Sequence, residues 1–283
     1  MNDTAAALSA VGAWDVPHAA AVAVTAAGVV GTVGDVDRPF PLASLTKPLA
    51  ALATLVAVEE EAVDLDAPLA LADLPPHAGD VTLRHLLAHA SGLDPEGGRW
   101  AFAPATRRVY SNAGFDAIAA TVEAATGLAF GAYLHEAVVV PLALRTTSLA
   151  GSAAKDAVAS AADYAVVLRE LLAPSGRWLH PTTLAAATTV QWPGLRGVLP
   201  GYGGQADNAW GLGLEVRDHK TPHWTGSGNS PATSGHFGRS GTMAWVDPVA
   251  GVGLVALADR PFGPWAVEAW PPLSDAVLQA LTR

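Results

Sequence analysis

The sequence predicts a mixed α/β fold, in which strands from both ends of the chain form one antiparallel sheet with helices on both faces. Strand-like segments occur near both termini, a long helical pattern starts at Ser44, and the middle of the chain changes to short helices joined by proline and glycine loops. We therefore predict an α/β domain from residues 1–63 and 163–283, with a helical insertion domain from residues 64–162.

The first predicted elements are a hairpin and a buried helix. Residues 19–24 and 29–33 are short, rich in β-branched residues and separated by Ala-Ala-Gly, which predicts two paired strands. Apolar residues recur at helical spacing from Ser44 to Glu61. Pro48 fits this helix only in its first turn, where no N–H is needed. Ser44 is therefore predicted at the N-terminus of the helix.

Short helices follow in the middle of the chain. Thr82 is a typical helix cap, and we expect its helix to end at Gly92. The apolar residues between Phe115 and Val122 form a second helical face, which Gly127 closes.

The C-terminal part combines one further helix, three strands and a closing helix. The turn at residues 247–251 lies between two of these strands, so we expect them to pair antiparallel. In chain order the predicted elements are a helix at 161–172, strands at 212–216, 242–246 and 252–258, and a helix at 266–281.

Composition restricts the classes of function. Of the 283 residues, 51% are hydrophobic and 15% are charged, which is typical of a folded globular chain. The net charge of −10 argues against nucleic acid or an anionic membrane as the main partner. The chain has no cysteine, which excludes disulfides, thiolate catalysis and cysteine zinc sites. Its start lacks the basic residues of a signal peptide, and no apolar segment reaches about 18 residues, so we expect a cytoplasmic protein.

Ser44 and Lys47 are the first candidates for chemistry. Helical spacing of three places them on one face, with β-carbons about 5–6 Å apart. A serine hydroxyl becomes a good nucleophile when a neighbouring base takes its proton, and burial lowers the pKa of a lysine enough for that role. The helix N-terminus also makes the Ser44 backbone N–H available to an oxyanion.

A second Ser-x-x-Lys sequence tests how specific this pattern is. Ser152 and Lys155 have the same spacing, and the chain contains only three lysines, so the motif alone does not decide between the two sites. The Ser152 copy lies in a polar, loop-like stretch without a following Tyr-x-Asn. We therefore favour Ser44 and Lys47.

Tyr110 and Asn112 are the next candidates. A phenol beside a lysine ammonium loses its proton more easily and then acts as a base. Asn112 offers an amide that would position a substrate carbonyl or the lysine. The alternative is purely structural, with Ser111 or Asn112 capping the next helix and Tyr110 packing against it.

His236 and Gly238 precede the predicted strand at 242–246. A glycine here would let a substrate approach the backbone, and the N–H of Arg239 would then be a second oxyanion donor. The alternative is a loop histidine in a glycine-rich turn.

Together these residues resemble the serine β-lactamase and penicillin-binding superfamily, and most closely the class C β-lactamases with their esterase and D-aminopeptidase relatives. Members share Ser-x-x-Lys, Tyr-x-Asn and a Lys-Thr-Gly-like triplet, which is often His-x-Gly in the esterase-like branch. Residues 82–93 and 141–144 also resemble family segments, and the resemblance spans about residues 15–260.

The resemblance implies acyl transfer with no cofactor and no metal. Ser44 would attack a carbonyl while Lys47 and Tyr110 share its proton. The substrate and the oxyanion would be held by four residues: Asn112, His236, Gly238 and Arg239.

His236 departs from the lysine of β-lactamases, and Phe237 replaces a hydroxyl residue. A neutral imidazole holds a carboxylate less firmly than an ammonium does. Both changes favour neutral esters or amides over penicillin-like acids, although Arg239 would partly restore the positive charge.

We therefore expect an esterase-like serine hydrolase acting on a small-molecule ester, amide or lactam. One alternative is a weak β-lactamase or D-amino-acid peptidase. Another is a non-catalytic or slowly deacylating binding or sensor module.

Two further patterns have simpler explanations. His85 and His89 have the spacing of a two-histidine metal site, but no glutamate follows His85 and no third ligand is evident. Four tryptophans precede the last strands and would line an aromatic acyl pocket, although core packing is the usual role of such residues. They are Trp178, Trp192, Trp210 and Trp224.

Overall fold

The computed structural model describes residues 3–69, 81–97 and 99–281. Residues 70–80 of the predicted insertion, and Met1 and Asn2 of the N-terminus, lie outside the described residues.

The strands of the described residues are, in chain order, β1 (Ala19–Thr25), β2 (Gly28–Val33), β3 (Pro39–Pro41), β4 (Ser148–Leu149), β5 (Ala157–Ser160), β6 (Gly197–Leu199), β7 (Gly203–Gln205), β8 (Glu215–Val216), β9 (Ser234–Gly238), β10 (Thr242–Asp247) and β11 (Val252–Ala258). The helices are α1 (Asp3–Leu8), α2 (Thr46–Glu59), α3 (Leu83–Leu87), α4 (Asn112–Thr126), α5 (Phe130–Leu134), α6 (Ala161–Leu172), α7 (Pro181–Thr188) and α8 (Pro264–Leu281). A π-helical turn at His135–Val139 follows α5, and 3-10 turns lie at Ser9–Ala13 and Ala43–Leu45.

Six strands form the main antiparallel sheet, in the order β2-β1-β11-β10-β9-β8. The N-terminal strand β1 pairs with β11 near the C-terminus, with Val22 opposite Val255. Alternate residues of β1 enter two cores on opposite faces of the sheet. Val22 packs in the core that contains α2 and α6, whereas Ala23 packs in the core that contains α8. The predicted sheet from both chain ends, covered by helices on both faces, is confirmed.

Several predicted elements are confirmed at their bounds or close to them. The hairpin is β1 and β2, the helix at 161–172 is α6, and the last two strands are β10 and β11, which pair antiparallel. Ser111 caps α4 by accepting from Gly114 N, and Gly127 ends that helix in the left-handed conformation at φ 73°.

Three boundaries differ from the prediction. The helix predicted from Ser44 begins at Thr46, and Ser44 itself lies in the 3-10 turn. The helix capped by Thr82 ends at Leu87 rather than Gly92, and His89 shortly afterwards has a φ of 54° that an α-helix does not allow. The predicted strand at 212–216 is wrong except for β8, because Gly213 adopts a φ of 82°.

A small sheet joins the segment before Ser44 to the middle of the chain. Its strand order is β3-β5-β4, with Phe40 opposite Ala159. The described part of the predicted insertion, residues 64–162, contains α3, α4, α5 and these two short strands β4 and β5. The division into two domains stays a prediction.

Within the described residues, no single helix is both long and apolar enough to cross a membrane. One bent pair, Asn112–Thr126 with Phe130–Val139, meets that test by length and composition alone.

Candidate active site

Ser44 lies in a turn that is held from two sides. The preceding Ala43 has a φ of 46°, which non-glycine residues rarely adopt. The carbonyl oxygen of Leu42 accepts a hydrogen bond from Thr242 Oγ1 at 2.8 Å, and Leu42 N donates to Ala157 O at 2.9 Å. The main sheet and the small sheet therefore fix the turn between them.

Lys47 lies three residues after Ser44, in the first turn of α2, and is fully buried. Its Nζ donates to Asn112 Oδ1 at 2.8 Å and to Ala154 O at 2.9 Å. A third, longer hydrogen bond of 3.4 Å reaches Ser44 Oγ. The structure thus brings together the serine and the lysine of the predicted pair.

Burial lowers the pKa of Lys47 to about 7, although the carboxylates of Asp116 and Glu96 oppose that change. A substantial share of the amine is therefore neutral near neutral pH. A neutral amine has two N–H donors and one lone pair. The two short hydrogen bonds use both donors, which leaves the lone pair for the proton of Ser44.

Tyr110 also contacts this pair. Its ring centroid lies 4.7 Å from Lys47 Nζ, and its phenol is hydrogen-bonded to Ser44. Burial raises the pKa of Tyr110 despite the Ser44 hydrogen bond. The expectation that the phenol ionises readily is therefore wrong for the resting site, where the phenol keeps its proton.

Asn112 holds the lysine. Its Oδ1 accepts from Lys47, and its Nδ2 donates to Glu96 Oε1 at 3.2 Å. Of the two roles predicted for this amide, the structure shows contact with the lysine. Ser111 makes the predicted helix cap at the same time, so the capping role and the contact between Tyr110 and Ser44 are both present.

His236 lies within β9 and not in a loop, and only 4% of its surface is exposed to solvent. Its Nδ1 lies 2.7 Å from the carbonyl oxygen of Phe237. Since a carbonyl accepts only, Nδ1 carries the proton and Nε2 carries a lone pair. Burial, followed by the nearby Lys47, lowers the pKa of His236 to about 3. The imidazole is therefore neutral.

Gly238 allows the end of β9 to approach the Ser44 turn closely. A Cβ at this position would collide with the carbonyl oxygen of Leu42, so no larger residue fits. The approach of a substrate to Gly238 stays a prediction, and the close contact seen here is made by the protein's own backbone. It brings Arg239, which is exposed, to the edge of the cavity beside Ser44.

These residues open into one cavity of about 400 Å³. Its polar lining includes Ser44, Tyr110, Asn112 and His236, while Arg239 lies exposed at its edge. The apolar part of the lining comes from the tip of the β6–β7 hairpin and from aromatic residues: Leu199, Pro200, Gly201, Trp210, Phe237 and Phe262.

The Beta-lactamase family model matches residues 9–279. The chain belongs to this family. A beta-lactamase from Mycobacterium bovis has a similar structure at a TM-score of 0.92 and 51% identity, covering 98% of this chain and 100% of that one. A comparison with curated proteins finds no match.

Other Beta-lactamase-like structures share the fold at lower identity. A D-stereospecific amidohydrolase from a Streptomyces species has a TM-score of 0.70 and 22% identity, covering 99% of this chain and 97% of that one. EstCE1, a hydrolase with promiscuous acyltransferase activity, has a TM-score of 0.78 and 18% identity, covering 98% of this chain and 97% of that one.

Sequence reasoning missed a buried ionic cluster that this family member places beside the cavity. Glu215 lines the cavity and accepts from Lys220 Nζ at 2.5 Å, from His223 Nε2 at 2.9 Å and from the indole N–H of Trp224. Burial disfavours the charged form of Glu215, but the charges and hydrogen bonds of His223 and Lys220 outweigh it and hold its pKa well below its usual range. The sequence does contain a signal for this cluster, because Glu215 is an acidic residue within an otherwise apolar, strand-like segment.

The remaining sequence candidates have structural contacts. The Ser152 hydroxyl donates to Asp116 Oδ1 at 2.6 Å, whereas Lys155 is exposed and meets Ser152 through its backbone N–H, which donates to Ser152 O at 3.2 Å. His85 forms a capping box with Thr82, and Nδ1 of His89 accepts from Ser111 N at 3.2 Å.

The four tryptophans of the predicted acyl pocket separate in the structure. Trp210 lines the cavity. Trp224 lies against Phe237 with ring centroids 5.8 Å apart, Trp192 stacks on His85, and Trp178 donates to Ala137 O.

Proposed function

We propose that this Beta-lactamase family member is a serine hydrolase that acts on a neutral carboxylic ester or amide through an acyl-enzyme on Ser44. The observation that carries the proposal is the hydrogen bond between the buried amine of Lys47 and Ser44 Oγ. Burial also lowers the pKa of this amine to about 7. A general base works best when its pKa lies near the working pH.

In the proposed acylation step, Lys47 takes the Ser44 proton as the Ser44 oxygen bonds to the substrate carbonyl carbon. The carbonyl π electrons move to oxygen and form the tetrahedral intermediate. Its collapse breaks the bond to the leaving group, which takes a proton from Tyr110. Lys47 then returns a proton to Tyr110. Tyr110 suits proton donation because its pKa is raised and it starts protonated.

In the proposed deacylation step, water attacks the ester carbonyl carbon on Ser44. A proton of that water passes to Lys47, the bond between the acyl carbon and Ser44 Oγ breaks, and Ser44 Oγ takes the proton back from Lys47. The free acid leaves, and the site returns to its starting state. No cofactor or metal enters this scheme, and we expect the partner to be a small molecule.

The proposed oxyanion donors are the backbone N–H groups of Ser44 and Arg239. The contact between Gly238 and Leu42 supports this assignment because it brings the end of β9 against the turn that carries Ser44. Loss of one such donor typically lowers kcat by about 10²–10³-fold.

The cavity supports a neutral substrate. A substrate carboxylate needs a cation or strong donors, whereas His236 is neutral and its one N–H already binds Phe237 O. The apolar wall of Leu199, Phe237 and Phe262 suits an alkyl or aryl group instead. The hydrolase activity named for EstCE1 and the amidohydrolase activity named for the Streptomyces protein agree with this class of reaction.

A weak β-lactamase activity is the second candidate. One specific observation favours it, namely the 51% identity to the Mycobacterium bovis beta-lactamase over nearly the whole chain. The exposed guanidinium of Arg239 at the cavity edge is the group that would meet a lactam carboxylate.

Parallel hydrolysis assays test the proposal. The rates of p-nitrophenyl butyrate and nitrocefin hydrolysis would be measured for the wild type, for Ser44→Ala and for Ser152→Ala, which alters the serine of the second Ser-x-x-Lys sequence. We expect efficient ester turnover, much weaker nitrocefin turnover, and loss of both in Ser44→Ala but not in Ser152→Ala. Comparable nitrocefin efficiency would favour the β-lactamase activity, and no turnover of either reagent would favour a binding module.

A further inference from the structure

The turn formed by residues 151–157 contacts Lys47 and both sides of Ser44. Its Ala154 carbonyl accepts from Lys47 Nζ at 2.9 Å. Three residues later, Ala157 N donates to Thr46 Oγ1 at 3.0 Å, and Ala157 O accepts from Leu42 N. This turn carries the second Ser-x-x-Lys sequence, for which the proposed chemistry has no use.

Ser152 closes the turn and fixes a carboxylate to it. Ser152 N donates to Asp156 Oδ2 at 2.9 Å, Asp156 N donates back to Ser152 O at 3.0 Å, and Ala154 N donates to Ser152 Oγ at 3.1 Å. The Ser152 hydroxyl in turn donates to Asp116 Oδ1 at 2.6 Å. Asp116 of α4 is therefore held against the turn that supplies a carbonyl to Lys47.

Charged residues of both signs are therefore joined to, or adjacent in sequence to, the groups that bind Lys47. Asp116 lies one helical turn after Asn112, which binds the lysine, so both belong to one face of α4. Lys155 follows directly after Ala154. Glu96, bonded to Asn112, is a second acid near the site.

The other titratable groups near Lys47 are neutral at working pH. Tyr110 keeps its proton, and burial lowers the pKa of both His89 and His236 below neutrality. Of the charged neighbours, Asp116 raises the pKa of Lys47 most, Glu96 raises it less, and Lys155 lowers it. Each of these effects is smaller than that of burial.

We propose that Asp116 and Lys155 are positioning residues that act on the Lys47 amine with opposite electrostatic effects, because the 151–157 turn that binds Lys47 also holds Asp116 and carries Lys155. The catalytic consequence rests on the proposed function. The effect of the two charges on the titration of Lys47 does not rest on the proposed function, because it requires no reaction.

The titration of Lys47 tests this directly, because the chain contains only three lysines, Lys47, Lys155 and Lys220. Incorporation of lysine labelled with ¹³C at Cε gives three NMR signals whose pH dependence is followed at about 0.01 M salt, where charges act over about 30 Å. The Lys155→Gln spectrum assigns the Lys155 signal by its loss.

The two charge-removing variants should move the midpoint of the Lys47 titration in opposite directions. A unit charge about 10 Å away through a water-like medium shifts a pKa by about 0.3 units. We expect Asp116→Asn, which still accepts from Ser152, to lower the midpoint by about that amount, and Lys155→Gln to raise it similarly. Lys155→Arg should leave it unchanged, and both shifts should shrink at about 0.15 M salt.

Glu268→Gln on α8 is the matched control, because Glu268 is also exposed but lies on a helix that packs in the other core. The proposal is wrong if the Asp116 and Lys155 variants shift the midpoint in the same direction, or by no more than Glu268→Gln does. Opposite shifts without any hydrolysis would overturn the proposed function and leave this inference standing. Hydrolysis without the shifts would overturn this inference and leave the proposed function standing.

Discussion

The hydroxyl of Thr242 donates a hydrogen bond to the carbonyl oxygen of Leu42 at 2.8 Å. This contact joins β10, near the C-terminal end of the sheet, to the turn that presents Ser44. Both groups are buried, so no water replaces the hydrogen bond if it is lost. The position of Ser44 therefore depends on a strand about 200 residues away.

Thr242→Val should impair activity more than stability. The substitution preserves shape but removes the hydroxyl, which costs about 1–3 kcal/mol where a buried acceptor is left unpaired. A nucleophile that shifts by about 1 Å loses about 10²-fold in rate. We expect a comparable loss of kcat/KM for p-nitrophenyl butyrate with the melting temperature only modestly lowered. Thr242→Ser keeps the hydroxyl and should retain most activity; equal losses in both variants would argue against the tether.

The rate of ester hydrolysis should rise with pH around a midpoint of about 7, because only neutral Lys47 accepts the Ser44 proton. The profile of kcat/KM between pH 5 and 9 measures this. His236 should contribute no inflection in that range, since its pKa is lowered to about 3. A rate that is flat across pH 7 would show that Lys47 is not the base.

The same pKa shift affects stability. In the unfolded chain Lys47 holds its proton up to its ordinary pKa of 10.5, whereas in the folded protein it loses the proton at about 7. The unfolded state therefore binds more protons between these values, and this residue's contribution makes the free energy of unfolding rise with pH across that window. Denaturant titrations of the wild type and of Lys47→Met at pH 7 and 9 would isolate it.

Neutral esters should be better substrates than esters that carry a carboxylate. The comparison is kcat/KM for p-nitrophenyl butyrate against the p-nitrophenyl monoester of succinic acid, which has a free carboxylate. Arg239→Gln should lower the rate for the anionic ester and leave the neutral ester almost unchanged, because Arg239 is the cation at the cavity edge. A wild-type preference for the anionic ester would contradict the role we give to neutral His236.

The sequence predicts the fold and the proximity of Ser44, Lys47 and Tyr110 well, because these depend on local periodicity and on motif spacing. It does not predict the small sheet β3-β5-β4, whose strands have two to four residues and no repeating pattern. The sequence also does not predict the tautomer of His236 or the protonation state of Tyr110. The tautomer depends on a carbonyl that the tertiary fold brings close, and the protonation state depends on burial.

The cluster around Glu215 shows the same limit at longer range. Lys220 and His223 follow in a loop, and only the folded chain directs both side chains at one buried carboxylate. Conversely, the second Ser-x-x-Lys sequence matches the motif, yet the Ser152 hydroxyl donates to the carboxylate of Asp116. Spacing alone did not separate the two copies, whereas burial does: Lys47 is buried and Lys155 is exposed.

Glu215→Gln should destabilise the fold strongly. Breaking a buried ion pair costs about 3–5 kcal/mol, because the partner charge of Lys220 stays buried without compensation. Asp37→Asn, in the exposed pair with Arg145, is the control and should cost about 0–1 kcal/mol. Urea denaturation at pH 7 compares the two, and similar costs would contradict a structural role for the cluster.

Glu215 should also make the protein sensitive to acid. Its folded pKa lies well below its ordinary value of 4.5. As pH falls below 4.5, the unfolded carboxylate takes up a proton that the folded one does not, so the stability contributed by Glu215 is progressively lost. The decrease in the free energy of unfolding between pH 6 and 3 should be smaller in Glu215→Gln than in the wild type.

The site of covalent labelling decides whether Ser44 is the nucleophile. The wild type would be treated with a fluorophosphonate, which forms a stable adduct with activated serines, and analysed by intact-mass spectrometry and peptide mapping. We predict one adduct per chain, located on Ser44, absent in Ser44→Ala and faster at pH 8 than at pH 6. Labelling of another serine, or an adduct that persists in Ser44→Ala, would show that Ser44 is not the nucleophile.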